Sequence, residues 1–319
     1  MMRTMITCFD IGGSAIKYAA ASADGRIGEL HRVPTPTHDF AAFVAAVRAA
    51  MGAAAAATGP SRGVAISIAG VVDPQDGRIK CANIPCIDGR PLGADLAAAL
   101  GLPVWIINDA DSFALAEAQA GAGRGHANVF GLILGTGVGG GLVVQGRLVT
   151  GPGGFAGEWG HGPAAVQFAG TPPHSIPRFP CGCGQAGCLD TVGGARGIER
   201  LHRHLHLHLP LHAEALDSRA IIDAWQAGDA AAERTVSCWT ELLAGPLAML
   251  VNTVGASILP VGGGLANSAP LIARLDGAVR AAILRRTGAP LIVPGQSGAE
   301  PGLIGAAWLG LERLGSAHA

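Results

Sequence analysis

The chain has 319 residues, 49% of them apolar and only 14% charged, with a formal net charge of −1. That balance excludes a disordered chain, and it lacks the basic excess by which a nucleic-acid binder is known. Glycine is the outlier at 49 residues, and its clusters mark places where backbone turns sharply or approaches a ligand.

The opening stretch MMRTMITCFDIGGSAIKYA reads straight into a strand. It holds no long apolar run of the kind that targets or anchors a chain, so a cytoplasmic location without a membrane partner is expected, with reduced thiols. MITCFDIGG and AIKYAAAS flank a glycine turn, which is a hairpin signal. FAAFVAAVRAAMGAAA has helical spacing, and the alanine run that follows is expected to be a frayed helix end, too short and too weakly apolar to span a bilayer. GVAISIAGVV reads as a buried strand, PLGADLAAALG as a helix and PVWIINDA as a strand ending in Asn108 and Asp109. SFALAEAQAGAG is a helix for which Asp111 is the expected cap, leaving Asp109 for other work. This alternation is the signature of an α/β layer.

NVFGLILGTGVGGGLVVQGRLV repeats the opening pattern of strand, glycine turn and strand. ASILPVGGGLANS is a third echo, a strand entering a glycine cluster before a helix. Two strand–glycine–strand units, one in each half, imply a duplicated fold with a ligand cleft between its copies. A Gly/Pro-rich loop leads into CGCGQAGCLD, and helices follow through EALDSRAIIDAWQAGD, CWTELLAGPLAMLVNTV and the amphipathic GLIGAAWLGLERL.

Gly135, Gly137 and Gly140 satisfy G-x-G-x-x-G, but a dinucleotide fold needs a helix there and GLVVQGRLV reads as a strand. No G-x-x-x-x-G-K-[ST] is present. A glycine hairpin can still hold phosphate on consecutive backbone N–H groups. Asp10, Gly12, Gly13 and Ser14 form one such turn; Gly135, Thr136, Gly137, Gly139 and Gly140 form another, and Gly263 with Gly264 a third. Asp10, at a strand end, can hold Mg²⁺ through water. Lys17 joins the expected nucleotide set.

Cys181, Cys183 and Cys188 supply three thiols in eight positions, one short of a closed tetrahedral zinc site. His161 and His174 are the candidates for the fourth ligand. Cys8, Cys81, Cys86 and Cys238 read as buried apolar thiols. His204 and His208 share a helix spacing within HRHLHLHLPLH, but no carboxylate or thiol joins them, and a surface helix is the better reading.

Taken in order, Asp-Ile-Gly-Gly-Ser, Gly-Thr-Gly-Val-Gly-Gly-Gly, Gly-Glu-Trp-Gly-His and Cys-Gly-Cys-Gly-Gln-Ala-Gly-Cys-Leu-Asp resemble the ROK family of sugar kinases over essentially the whole chain. The stretches ANIPCIDGRPLGADLAAALGLPVWIINDADSFALAEA and FGLILGTGVGGGLVVQGRLVTG look most like members acting on N-acetyl-D-glucosamine, with glucose and N-acetylmannosamine the alternative acceptors. The resemblance implies an actin-like, ribonuclease H-like duplicated α/β fold. Its small domain would comprise residues 1–115 with a returning C-terminal helix at 300–319, and its larger domain 116–299. It also implies a homodimer with ATP, Mg²⁺ and structural Zn²⁺.

By that resemblance Asp109 is the general base that takes the proton of the sugar 6-hydroxyl. Asn83, Asn108, Gly154, Glu158 and His161 line the sugar, and Gly153 helps its loop approach the ring. His161 is then the fourth zinc ligand beside Cys181, Cys183 and Cys188. Asp190 is carried to the sugar by the cysteine loop, although the family usually has Glu there; Ser14 replaces the family's Thr without losing the hydroxyl. The family's regulators carry a helix-turn-helix ahead of this part, and the few residues before Asp10 are expected to leave no room for one.

Overall fold

A computed structural model describes residues 6–163, 165–206 and 216–316. Strands β1 (Ile6–Ile11), β2 (Ala15–Ala21) and β3 (His31–Pro34) form an antiparallel meander. Helix α1 (Phe40–Thr58) follows, capped by Asp39, whose carboxylate accepts from Ala41 N and Ala42 N, and stopped by Gly59 at φ 95°. Strand β4 (Val64–Ile68), helix α2 (Leu92–Leu100), strand β5 (Val104–Asn108) and helix α3 (Asp109–Ala120) complete the first run. β4 lies parallel to β1 and to β5, giving the order β3-β2-β1-β4-β5.

Strands β6 (Asn128–Leu134), β7 (Val138–Val144) and β8 (Arg147–Val149) repeat the meander. Helices α4 (Ala195–Leu205), α5 (Ser218–Gln226) and α6 (Ala230–Val254) follow, and then strand β9 (Leu259–Gly262), helix α7 (Ala269–Ala282), strand β10 (Ile292–Pro294) and helix α8 (Pro301–Ser316). The second sheet has the order β8-β7-β6-β9-β10, with β9 parallel to both β6 and β10. The same order arises twice because each glycine hairpin starts a meander and each later strand returns in parallel. That is the duplication expected from the repeated strand–glycine–strand pattern, in the actin-like topology that the family resemblance implies.

Contacts divide the chain into two units: Met1–Arg124, Gly141–Ala156 and Ser297–Ala319 form one; Gly125–Gly140 and Gly157–Gln296 form the other. The first unit has a core of Phe9, Phe43, Val47, Ile66, Leu92 and Leu96, all fully buried. Within it α8 packs on β1, β4 and α3. A Cβ on Gly305 would lie 2.0 Å from Ser112 O, so only glycine lets the two helices come this close. The second unit is built around α6, whose Trp239 is fully buried and donates its indole N–H to Gly193 O at 2.9 Å.

One expectation fails in α1. The alanine run does not fray: it completes a helix of 19 residues whose mean hydropathy of 1.7 is, by length and composition, enough to cross a membrane. Alanine supplies both the hydropathy and the helix propensity. The helix lays Phe43, Val47, Ala50 and Ala54 into the core of the first unit.

Candidate functional site

The predicted residues fall into two sets, one in each unit. In the first, the turn after β1 places Gly12 and Gly13 between paired strands, with Gly12 N donating to Ala15 O at 3.0 Å. Thr35, which the sequence did not single out, fixes that turn by donating its hydroxyl to Gly12 O at 2.7 Å. Asn83 abuts it, since a Cβ on Gly13 would lie 3.1 Å from Asn83 O. Ser14 and Asn83 are exposed.

Asp10 pairs across the hairpin with Lys17. The Lys17 ammonium lies 4.0 Å from the Asp10 carboxylate and 2.6 Å from that of Glu300. Burial pushes the Asp10 carboxyl above the ordinary range against the pull of Lys17. A Cβ on Gly302 would meet Asp10 at 2.6 Å, so this carboxylate faces the first turn of α8. Asp10 thus has a helix N-terminus and one cation beside it, both of which oppose burial and favour the ionised carboxylate that a water-mediated hold on Mg²⁺ would need. Glu300 went unnoticed in the sequence because it lies 283 residues from its partner.

Asp111 is not the cap of α3. The helix begins two residues earlier, and Asn108 caps it by accepting from Ala110 N at 2.9 Å. Its amide also donates to Gly70 O at 3.0 Å, so Asn108 is largely committed to holding the strand end. Asp111 instead is buried at 5% exposure. Asp109 is the first helical residue and is exposed, as a base acting on a bound hydroxyl requires. Gly153 and Gly154 lie in the one-turn segment Pro152–Gly154 at φ 67° and 75°. A Cβ on Gly154 would lie 2.5 Å from Val72 O.

In the second unit several segments converge on the turn Gly135–Gly137 and the start of β7. That turn opens a strand rather than a helix, as the pattern required. Trp159 donates its indole N–H to Gly139 O at 2.8 Å, holding the Gly-Glu-Trp-Gly-His loop against β7. Ala195 N at 2.8 Å and Arg196 N at 3.2 Å, the first N–H groups of α4, donate to Gly135 O and Thr136 O. Gly263, at φ 91°, approaches the end of β6 so closely that a Cβ would lie 2.5 Å from Leu134 O. Beside Gly264 lies a cavity of about 300 Å³ lined also by Ala195, Ser218, Arg219, Asp223 and Ser268. The Ser268 hydroxyl is buried there without a hydrogen-bond partner. None of these lining residues other than Gly264 was legible as a site, because they come from three separate segments.

His161, Cys181, Cys183 and Cys188 come together with their ligand atoms all within 4.8 Å of one another. His161 Nδ1 is 3.6 Å from Cys181 Sγ, and Cys183 Sγ is 3.7 Å from Cys188 Sγ. Those spacings fit the edges of a tetrahedron with Zn–S bonds of about 2.3 Å. The Gln185 N–H draws the Cys183 thiol down to about 7, so one sulfur is ready as thiolate near neutrality. His161 Nε2 lies 3.8 Å from the Glu158 carboxylate, close but beyond hydrogen-bond length. His174 lies instead on the hairpin formed by Phe168–Ala169 and His174–Ser175, and among the described residues it does not join the cysteines. His204 hydrogen-bonds Ser175 O at 2.8 Å, while His208 lies outside the described residues.

The model of the ROK family matches residues 6–313. The chain belongs to the ROK family. This ROK chain is 36% identical over 303 residues to an N-acetyl-D-glucosamine kinase of Salmonella paratyphi C, covering 95% of this chain and 98% of that protein. Its fold is similar to the crystal structure of a ROK hexokinase from Thermus thermophilus, with a TM-score of 0.82, 30% identity and 99% and 100% of the two chains covered. A ROK glucokinase from Streptomyces griseus, solved with glucose and AMPPNP, superposes with a TM-score of 0.70 at 28% identity over 96% and 98% of the two chains.

Proposed function

We propose that this chain is a sugar kinase that transfers the γ-phosphoryl group of ATP to the 6-hydroxyl of N-acetyl-D-glucosamine. The observation that carries the reading is the 36% identity to an N-acetyl-D-glucosamine kinase over 95% of the chain. The local geometry agrees with it: two glycine turns between paired strands, an exposed carboxylate on a helix start, and four convergent zinc-type ligands.

In this reading Asp109 accepts the proton of the attacking hydroxyl, and Asn108 sets its direction by holding the strand-to-helix junction. Asn83, Gly154, Glu158 and His161 bind the sugar. The turns at Gly12–Ser14 and Gly135–Gly140 hold the phosphates, with Gly263 and Gly264 beside the nucleoside cavity. Mg²⁺ would be held through water at Asp10 and would neutralise charge on the transferring phosphoryl group. Zn²⁺ would be held by His161, Cys181, Cys183 and Cys188 in a closed structural site, tying the two loops that carry them. We also infer a homodimer acting in the cytoplasm.

A second acceptor is favoured by one observation, the likeness to the glucokinase of Streptomyces griseus at 28% identity. Coupled ADP-release assays with N-acetylglucosamine, N-acetylmannosamine and glucose decide between them. The highest kcat/KM is expected with N-acetylglucosamine, and equal kcat/KM with glucose would remove the N-acetyl assignment.

A further inference from the structure

We infer that Asp190 positions the nucleotide-binding turn and is not a ligand of the sugar. This rests on the kinase reading above. The Asp190 Oδ1 accepts the Val138 N–H at 3.0 Å. Its Oδ2 lies 3.8 Å from Cys181 Sγ, and its backbone N–H donates to Gly160 O at 2.9 Å. Asp190 therefore touches three parts: its carboxylate meets the glycine turn and the cysteine cluster, and its backbone N–H meets the Gly-Glu-Trp-Gly-His loop.

The residue facing it is glycine for the same reason. A Cβ on Gly137 would lie 2.1 Å from Asp190 Oδ1. Gly137 has no positive φ, and the three atoms nearest to such a Cβ all belong to the Asp190 carboxylate, which would have to move aside for alanine. The next segment continues the clasp, with a Cβ on Gly194 meeting Gly137 Cα at 2.5 Å. The short stem of aspartate explains the fit. A carboxylate one methylene from the chain stays on the backbone N–H of the turn, where the glutamate usual in the family would have to extend past it. A metal ordering the four ligands would, through the backbone from Cys188 to Asp190, also order the turn assigned to the phosphates.

The test compares separate calorimetric dissociation constants for ADP and for N-acetylglucosamine. Asp190→Ala is expected to weaken ADP about tenfold, the loss of one charge-assisted hydrogen bond, while the sugar constant stays within about twofold. Asp190→Asn should restore most of the loss, because an amide oxygen also accepts from Val138. Gly137→Ala should weaken ADP as well, and adding Asp190→Ala to it should do little further harm, since both changes break one contact. Weaker sugar binding with ADP unchanged in Asp190→Ala would overturn the inference, as would an Asp190→Asn variant as poor as the alanine. Should Asp190→Ala not fold, Gly137→Ala reads the same contact: loss of ADP binding supports the inference, and loss of sugar binding alone overturns it. If the unaltered protein binds neither ligand, the kinase reading fails. Amide exchange at Val138 then still decides, being faster in Asp190→Ala than in Asp190→Asn if the contact orders the turn and equal if it does not.

Discussion

Glu117→Ala is expected to destabilise the first unit by about 4 kcal/mol. Glu117 is 1% exposed near the end of α3, the helix that starts at Asp109. Its Oε1 accepts from Ser297 N at 2.8 Å and from Ser297 Oγ at 2.6 Å, and its Oε2 accepts from Ala122 N at 2.9 Å. Alanine would strand two backbone N–H groups, Ser297 being itself buried at 8% exposure. Each stranded donor costs about 1–3 kcal/mol, and the vacated volume adds to that. Glu117→Gln keeps an acceptor for Ser297 but turns an N–H₂ toward Ala122 N, so about 2 kcal/mol is lost. Urea unfolding followed by tryptophan fluorescence measures both, provided the m-value does not change. An alanine variant within about 1 kcal/mol of the parent, or a glutamine variant as costly as alanine, would refute the reasoning.

Asp109→Asn should leave sugar affinity within about twofold while kcat falls by about 10²–10⁴, and comparable turnover in the variant removes the base from residue 109. Elemental analysis should find about one zinc per chain, and stripping it with a chelator should lower thermal stability and activity together; fully active zinc-free protein contradicts the structural site. Glu233 is held at about 2 first of all by hydrogen bonds from Arg274, which meets it at 2.7 and 2.9 Å. Because its folded value is depressed, its stabilisation is present at neutral pH and is lost as pH falls from the ordinary glutamate range toward about 2. With its side chain 48% exposed, that contribution is about 1 kcal/mol. Glu233→Gln should therefore lower Tm at pH 7 and less so at about pH 3, and a constant deficit would refute the pairing. Gly305→Ala should lower Tm although alanine is the better helix former, because its Cβ would sit 2.0 Å from Ser112 O; an unchanged Tm would show that α8 and α3 shift freely.

What could be read in advance was what repeats or clusters locally. The strand after Gly135-Thr136-Gly137 was legible because β-branched residues and a second glycine turn follow at once. The cysteine spacing announced a metal, though the choice between His161 and His174 depended on a loop path that no local pattern encodes. The start of α3 was misplaced because Asn108, Asp109 and Asp111 are all good cap residues within one turn. Which of them caps depends on where β5 leaves its sheet. The Lys17–Glu300 pair, the Thr35 clasp and the Glu117 anchor join segments distant in the chain, and such meetings are decided by topology. Asp190 is the subtler case. Its place after the last cysteine was read as carrying it to the sugar, whereas its partner Val138 lies 52 residues away and became visible only once the turn was built.

The docking of α8 on β1, β4 and α3 has a consequence for synthesis. A ribosome delivers the first sheet early, yet the helix that covers one face of it is made only after residue 296 has been added. During that interval the nascent sheet shows bare apolar surface to the cell, while the second unit is still being made. Translation rate and chaperone access, more than equilibrium stability, should therefore set how much working protein a host accumulates.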